Sequence, residues 1–164
     1  MPGLKPYAAL LLALVATAAS ARDSLGVFEG WGAFRDDRPP RCFAIAQPLR
    51  RSSAAWKPFA SIAFWPTIGA RNQLHIRLSH ERGQDAPVAL SIGDRRFALV
   101  AGRVDAWAPD ARTDAAIVAA MRNGGTLRVT SRGKNGGSFT DSYRLRGAAT
   151  AIDAAALGCG RRRR

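Results

Sequence analysis

His75 and His80 are the only histidines in the chain, and with Asp141 they are the first groups to weigh for chemistry. On a strand, residues five apart point to opposite faces, so the two imidazoles share a metal only if the chain turns sharply after Ser79. No metal site is expected from them. Asp36-Asp37 is a carboxylate pair, but it sits in a turn ahead of Arg38-Pro39-Pro40 and adjacent side chains diverge. An acid/base couple of the glycan-cleaving kind needs two carboxyls facing one bond, which this spacing does not supply. Asp141 shares the phase of Phe139, Tyr143 and Leu145, so a regular strand turns its carboxyl inward. A buried carboxyl needs a partner or a shifted pKa. With no second acid or base fixed beside it, Asp141 reads as a structural buried acid that accepts from backbone amides or an arginine. The chain has no Gly-x-Ser-x-Gly elbow, phosphate-cradling Walker loop or His-Glu-x-x-His helix. Catalytic residues, metal and cofactor are all expected to be none.

The elements that would position these groups are mostly strands. Leu25–Arg35 reads as one irregular first strand, Asp36–Pro40 as a turn, and Arg41–Gln47 as a second strand. Leu49–Lys57 is a basic loop. Pro58–Pro66 is apolar on both faces, as in a strand covered on each side. Gln73–Ser79 alternates, with Leu74, Ile76 and Leu78 inward. Val88, Leu90 and Ile92 lead through a two-residue Gly93-Asp94 turn into Arg95–Val100, which sets Leu90 opposite Phe97 and Val88 opposite Leu99. Thr113–Asn123 is a helix with Thr113 as cap, Asp114 at its positive end, Arg122 near its negative end and Gly124 as its stop. A second hairpin joins Thr126–Arg132 to Ser138–Arg146. A three-residue Asn135-Gly136-Gly137 turn with a bulge would pair Val129 with Tyr143, Leu127 with Leu145, and Arg128 with Arg144. An Ala-rich helix over Ala148–Leu157 is ended by Gly158.

Charge and sulfur add the remaining constraints. Lys and Arg number 25 against 12 Asp and Glu, a formal net charge of +13. Nearly all of the positive charge is arginine, spread along the chain, so a solvated basic surface competes with an anion-binding one. Two arginines opposed on a solvent face repel, and a bound anion relieves that repulsion. Arg128 and Arg144, with nearby Arg146, are therefore the candidate anion-binding residues. Of the four tryptophans, Trp31 and Trp65 are expected in the core, and Trp56 and Trp107 border loops where they could form an exposed platform. Residues 1–21 carry Lys5, an apolar run over Tyr7–Thr17 and a small-x-small Ala19-Ser20-Ala21 site, the pattern of a removable export signal. No other stretch approaches membrane-spanning length, so no transmembrane span is expected after cleavage. Export puts Cys42 and Cys159 in an oxidising compartment, where a pair is most simply a disulfide. A free thiol or a metal pair is the alternative. Closing so long a loop stabilises by nominally about 4–5 kcal/mol before strain. Residues 22–160 then make a single domain, followed by a basic tail at Arg161–Arg164.

Several stretches in order give the chain a family likeness. They are Trp31-Gly32-Ala33-Phe34, Arg41-Cys42-Phe43-Ala44, Val88–Leu99, Ala120-Met121-Arg122-Asn123-Gly124-Gly125, and Thr140–Gly147 leading through Ala151-Ile152 to Cys159. In these the chain resembles the invasion-associated locus B family of exported Gram-negative envelope proteins, over about Phe28–Cys159. The resemblance implies an immunoglobulin-like antiparallel β-sandwich, mainly β, with one or two short α-helices, in the periplasm or on the outer membrane. It also implies a link to host invasion in pathogens without an established enzymatic activity, and it supplies no catalytic residues. Many short strands with turn signals at regular spacing agree with such a sandwich.

Three functions follow, in order of preference. The first is a non-enzymatic binding or assembly module whose basic face meets an anionic envelope component or an envelope protein, with no nucleic-acid partner. The alternative is a periplasmic hydrolase of an envelope polymer, which needs Asp141 joined to a second acid or a histidine in one pocket. The third is a stabiliser or inhibitor of another exported protein, with an apolar patch at Trp56 or Trp107.

Overall fold

A computed structural model describes residues 22–160 apart from 51 and 53. The export-signal reading of residues 1–21 and the basic tail at 161–164 lie outside the described residues. Ten strands and two helices follow one another as β1 (Asp23–Phe28), β2 (Trp31–Asp37), β3 (Pro40–Ala46), β4 (Phe59–Trp65), β5 (Ala70–Arg77), β6 (Val88–Ile92), β7 (Arg95–Ala101), β8 (Asp105–Trp107), α1 (Ala111–Asn123), β9 (Thr126–Arg132), β10 (Ser138–Arg144) and α2 (Ala148–Gly160). The strands form one hydrogen-bonded path in the order β1-β2-β3-β4-β5-β8-β7-β6-β9-β10, and every pairing is antiparallel. The fold is mainly β and sandwich-like, with two helices.

Alternation decides which side chains fill the interior. In the first half, Ala33, Ala44, Ile62 and Leu74 line up across β2–β5, and Trp31, Ala46, Ala60, Ile76 and Ala106 form a second inner row. In the second half the inner rows are Phe97, Leu90, Val129 and Asp141, then Ile92, Leu127 and Tyr143. Helix α2 lies over β1–β4 with Ala148, Ala151, Ile152 and Ala155 buried. Small residues on both partners, Ala33 and Ala44 below and Ala151 and Ala155 above, allow the close approach. Cys159, in the last turn of α2, is bonded to Cys42 in β3 with the Cα atoms 5.7 Å apart and 117 residues between them in sequence.

Several elements depart from the sequence reading. The single first strand is a hairpin, β1 and β2, turned at Glu29-Gly30 with Glu29 at φ 55°. The cap of α1 is Asp110 rather than Thr113, because Asp110 Oδ1 accepts from the Thr113 amide at 2.7 Å and starts the helix earlier. Helix α2 runs past Gly158 instead of stopping there. That glycine lets the helix pass Leu25 of β1, since a Cβ would stand 2.5 Å from Leu25 Cδ1. Gly147 performs a sharper version of the same service at φ +85°, where a Cβ would lie 2.1 Å from the Phe28 carbonyl oxygen.

The β6–β7 hairpin has the expected register, Leu90 to Phe97 and Val88 to Leu99. The β9–β10 hairpin does not. Val129 faces Asp141, Leu127 faces Tyr143, and Arg128 faces Ser142. The turn is Lys134-Asn135-Gly136, one residue earlier than expected: Gly133 N–H donates to the Gly137 carbonyl at 2.8 Å, Gly136 N–H donates to the Gly133 carbonyl at 2.9 Å, and Gly136 stands at φ 82°. Gly83 N–H donates to the Arg132 carbonyl at 2.8 Å and Lys134 N–H to the Glu81 carbonyl at 2.9 Å. The outer edge of β10 is covered in turn. The Leu49 amide donates to Ser142 O at 2.8 Å, and the Trp31 indole to Arg144 O at 2.8 Å.

Candidate functional site

Turned away from the core, the outer face of β7-β6-β9-β10 is built from arginine and small hydroxyl residues. Register places Arg96, Ser91, Arg128 and Ser142 in one row across the four strands. Ala98, Ala89, Thr130 and Thr140 form the next row. Arg132 faces Ser138, and Arg144 faces Thr126. The opposition of Arg128 and Arg144 expected from sequence is therefore corrected. The earlier turn shifts β10 by two residues against β9, so Arg144 lies diagonal to Arg128 on the same face. Arg96 and Arg128, two strands apart, are separated by about 10 Å. Arg146 lies beyond the strand, where its Nε is 3.2 Å from Glu29 Oε1, so it does not join the group.

What distinguishes this face is the absence of acid. No Asp or Glu on these four strands points outward, since Asp141 faces in. Among the described residues Arg96, Arg128, Arg132 and Arg144 have no carboxyl partner. Of the arginines elsewhere, Arg38, Arg50, Arg71 and Arg112 likewise have no carboxyl partner among the described residues, but many others are committed. Arg22 and Arg41 both bind Asp36, Arg77 binds Asp105, and Arg122 binds Asp153. Arg82 is spent on the backbone, donating to the carbonyls of Gly102, Ala86 and Ala101 within 2.9 Å.

The second candidate, Asp141, is 5 % exposed. Its Oδ2 accepts from the Ser79 amide at 2.9 Å, just past the end of β5. Asp114 on α1 acts likewise within that strand: Oδ1 accepts from the Leu74 amide at 2.8 Å. β8 covers only His75–Arg77, so Leu74 has no β8 partner on that edge. Burial pushes the Asp114 carboxyl up, more than the Leu74 amide lowers it. Next to these lies a cleft of about 400 Å³ lined by Trp56, Ser79, His80, Glu81 and Phe139 among others. Ser79 Oγ and His80 Nδ1 are 2.8 Å apart there. Asp141, however, is turned onto the amide of Ser79 and not onto the imidazole, so the three do not form a proton relay. Glu81 is held by Lys134 and Arg103.

His75 is far from that cleft, stacked on Trp107 with ring centroids 5.3 Å apart and bonded through Nε2 to Asp105 Oδ1 at 2.8 Å. Trp31 is fully buried, whereas Trp65, expected in the core, lies half-buried on the outer face of β4 beneath Arg41. The inward neighbour Phe64 takes the core position, as alternation requires. Trp56 is half-buried, its indole donating to Leu78 O at 2.7 Å, and Trp107 is 38 % exposed. Among the described residues no group of three or more His, Cys, Asp or Glu is arranged to hold a metal ion. No described helix is long and apolar enough to cross a membrane.

Sequence reasoning missed Arg96 and Arg132. Their phase was readable, but the β6–β9 pairing that assembles the row joins strands separated by β7, β8 and α1, and no local signal announces it.

No family model matches the chain, and no curated protein matches it. Among solved structures it is similar to invasion associated protein B from Bartonella henselae, with a TM-score of 0.58 and 15 % identity over 85 % of this chain and 99 % of that one. The two chains share a fold, and it is the fold implied by the sequence resemblance.

Proposed function

We propose that this chain is an exported, non-enzymatic cell-envelope protein of the invasion-associated locus B kind, and that the β7-β6-β9-β10 face binds a phosphorylated envelope polymer. The observation that carries the reading is four arginines set among serine and threonine hydroxyls with no acid on the outward face of their strands. A guanidinium offers two parallel donors to a phosphate, and the hydroxyls supply further donors between the charges. Export is supported by the signal-like residues 1–21 and by the Cys42–Cys159 disulfide, which suits an oxidising compartment. The shared fold fits such a role without adding a reaction.

The test is titration with inorganic polyphosphate at low and high salt. Binding should weaken about tenfold or more in the double variant Arg96→Glu/Arg128→Glu, and fall steeply with added salt. Equal affinity of variant and wild type overturns the assignment of this face.

A further inference from the structure

The opposite outer face has a different chemistry. Register there lines up Val27, Gly32, Ile45, Ser61, His75, Trp107 and Val100 across seven strands. At Gly32 the row has no side chain, so a dip opens between Val27 on one neighbouring strand and Ile45 on the other. The Phe34 ring lies across the glycine, where a Cβ would stand 2.6 Å from it. Phe59 closes the far side. The result is a depression of about 540 Å³, inside the usual range for a small-molecule site. Val27 is 71 % exposed at its lip, an apolar side chain left in water.

Among the described residues, Lys57 is the only charged one lining this depression, Gln47 is polar, and no carboxyl borders it. Among the described residues Lys57 has no ion-pair partner, unlike Arg22, Arg41 and Arg77 around the same face. We infer that the depression binds the hydrocarbon tail of a single-chain anionic amphiphile, with Lys57 receiving its head group. An apolar floor with one free cation at the rim suits an acyl chain ending in a carboxylate. It disfavours a cationic amphiphile, whose head would meet Lys57, and a sugar, which would find few hydrogen-bonding groups. The inference is independent of the arginine face, which lies on the other half of the sheet.

Calorimetric titration of the purified chain with palmitate, below its micelle concentration, tests it. Saturable binding at one site is expected. Lys57→Glu should weaken it about five- to tenfold, the scale of one exposed charge interaction and its reversal. Val27→Asp, at an exposed position, should also weaken it, and hexadecyltrimethylammonium should prefer the Lys57→Glu variant over wild type. Arg96→Glu/Arg128→Glu should bind palmitate as wild type does, which separates this result from the polyphosphate test. Absence of saturable palmitate binding, or affinity unchanged in both variants, overturns the inference. So does an equal loss of both amphiphiles in Lys57→Glu.

Discussion

Asp114 and Asp141 serve one stretch of chain: the first accepts from the Leu74 amide inside β5 at 2.8 Å and the second from the Ser79 amide just past its end at 2.9 Å. Asp114 stands in for the β8 partner that Leu74 lacks, and Asp141 satisfies an amide beyond the end of the strand. Replacing Asp141 by Ala leaves a buried N–H unpaired and should cost about 1–3 kcal/mol in denaturant unfolding, with Asn closer to wild type. For Asp114 the folded-state pKa is raised above 3.8, so its ionisation opposes folding as pH rises through that value. Asp114→Asn should therefore compare more favourably with wild type at neutral pH than at pH 3.

Tyr143 is fully buried, and its hydroxyl has no hydrogen-bond partner among the described residues. Burial, and then the charge of Asp141, push that hydroxyl well above its ordinary pKa of 10. Removing an unsatisfied hydroxyl while keeping the ring should be neutral or stabilising by up to about 1 kcal/mol. A thermal melt of Tyr143→Phe checks this, with an unchanged or higher Tm expected.

The disulfide pins the final turn of α2 to β3 across 117 residues of chain. Reduction, or Cys42→Ala with Cys159→Ala, should lower stability by about 3–5 kcal/mol, mainly through a looser unfolded chain. Equilibrium denaturation with and without reductant reads the difference.

Acid should also weaken the fold. Burial alone raises Asp36 and Asp105, but hydrogen bonds and charge from Arg22 and Arg41, and from Arg77 and His75, outweigh it and hold both below the ordinary 3.8. For a depressed carboxyl the stabilisation is whole above the unfolded-state value and disappears as pH falls through the folded-state one. Melting temperature should thus drop below about pH 3.8, and less steeply in Asp36→Asn/Asp105→Asn.

Much of this molecule can be read from local pattern. The β6–β7 register follows from a two-residue turn and strict alternation, and the inward phase of Asp141 from three neighbours of the same parity. Failures occur where a distant segment decides. The β9–β10 turn falls one residue earlier than expected, beside Glu81–Gly83, which bonds Arg132 and Lys134, and Gly158 answers to Leu25 rather than to the end of its own helix. The three residues of β8 are too few to alternate. The arginine row was half visible for the same reason: Arg128 and Arg144 share a hairpin, whereas Arg96 reaches them only through β6.

A sandwich made from two separate sheets would present four open flanks to its neighbours. This one is a single folded ribbon with two. One of these is closed where Leu49 and Trp31 occupy carbonyls of β10, and the other is kinked by the irregularity between Ser24 and Gly26. Copies of the chain at high local concentration consequently have few places to zip together, and fibril growth by strand addition is discouraged by the architecture itself.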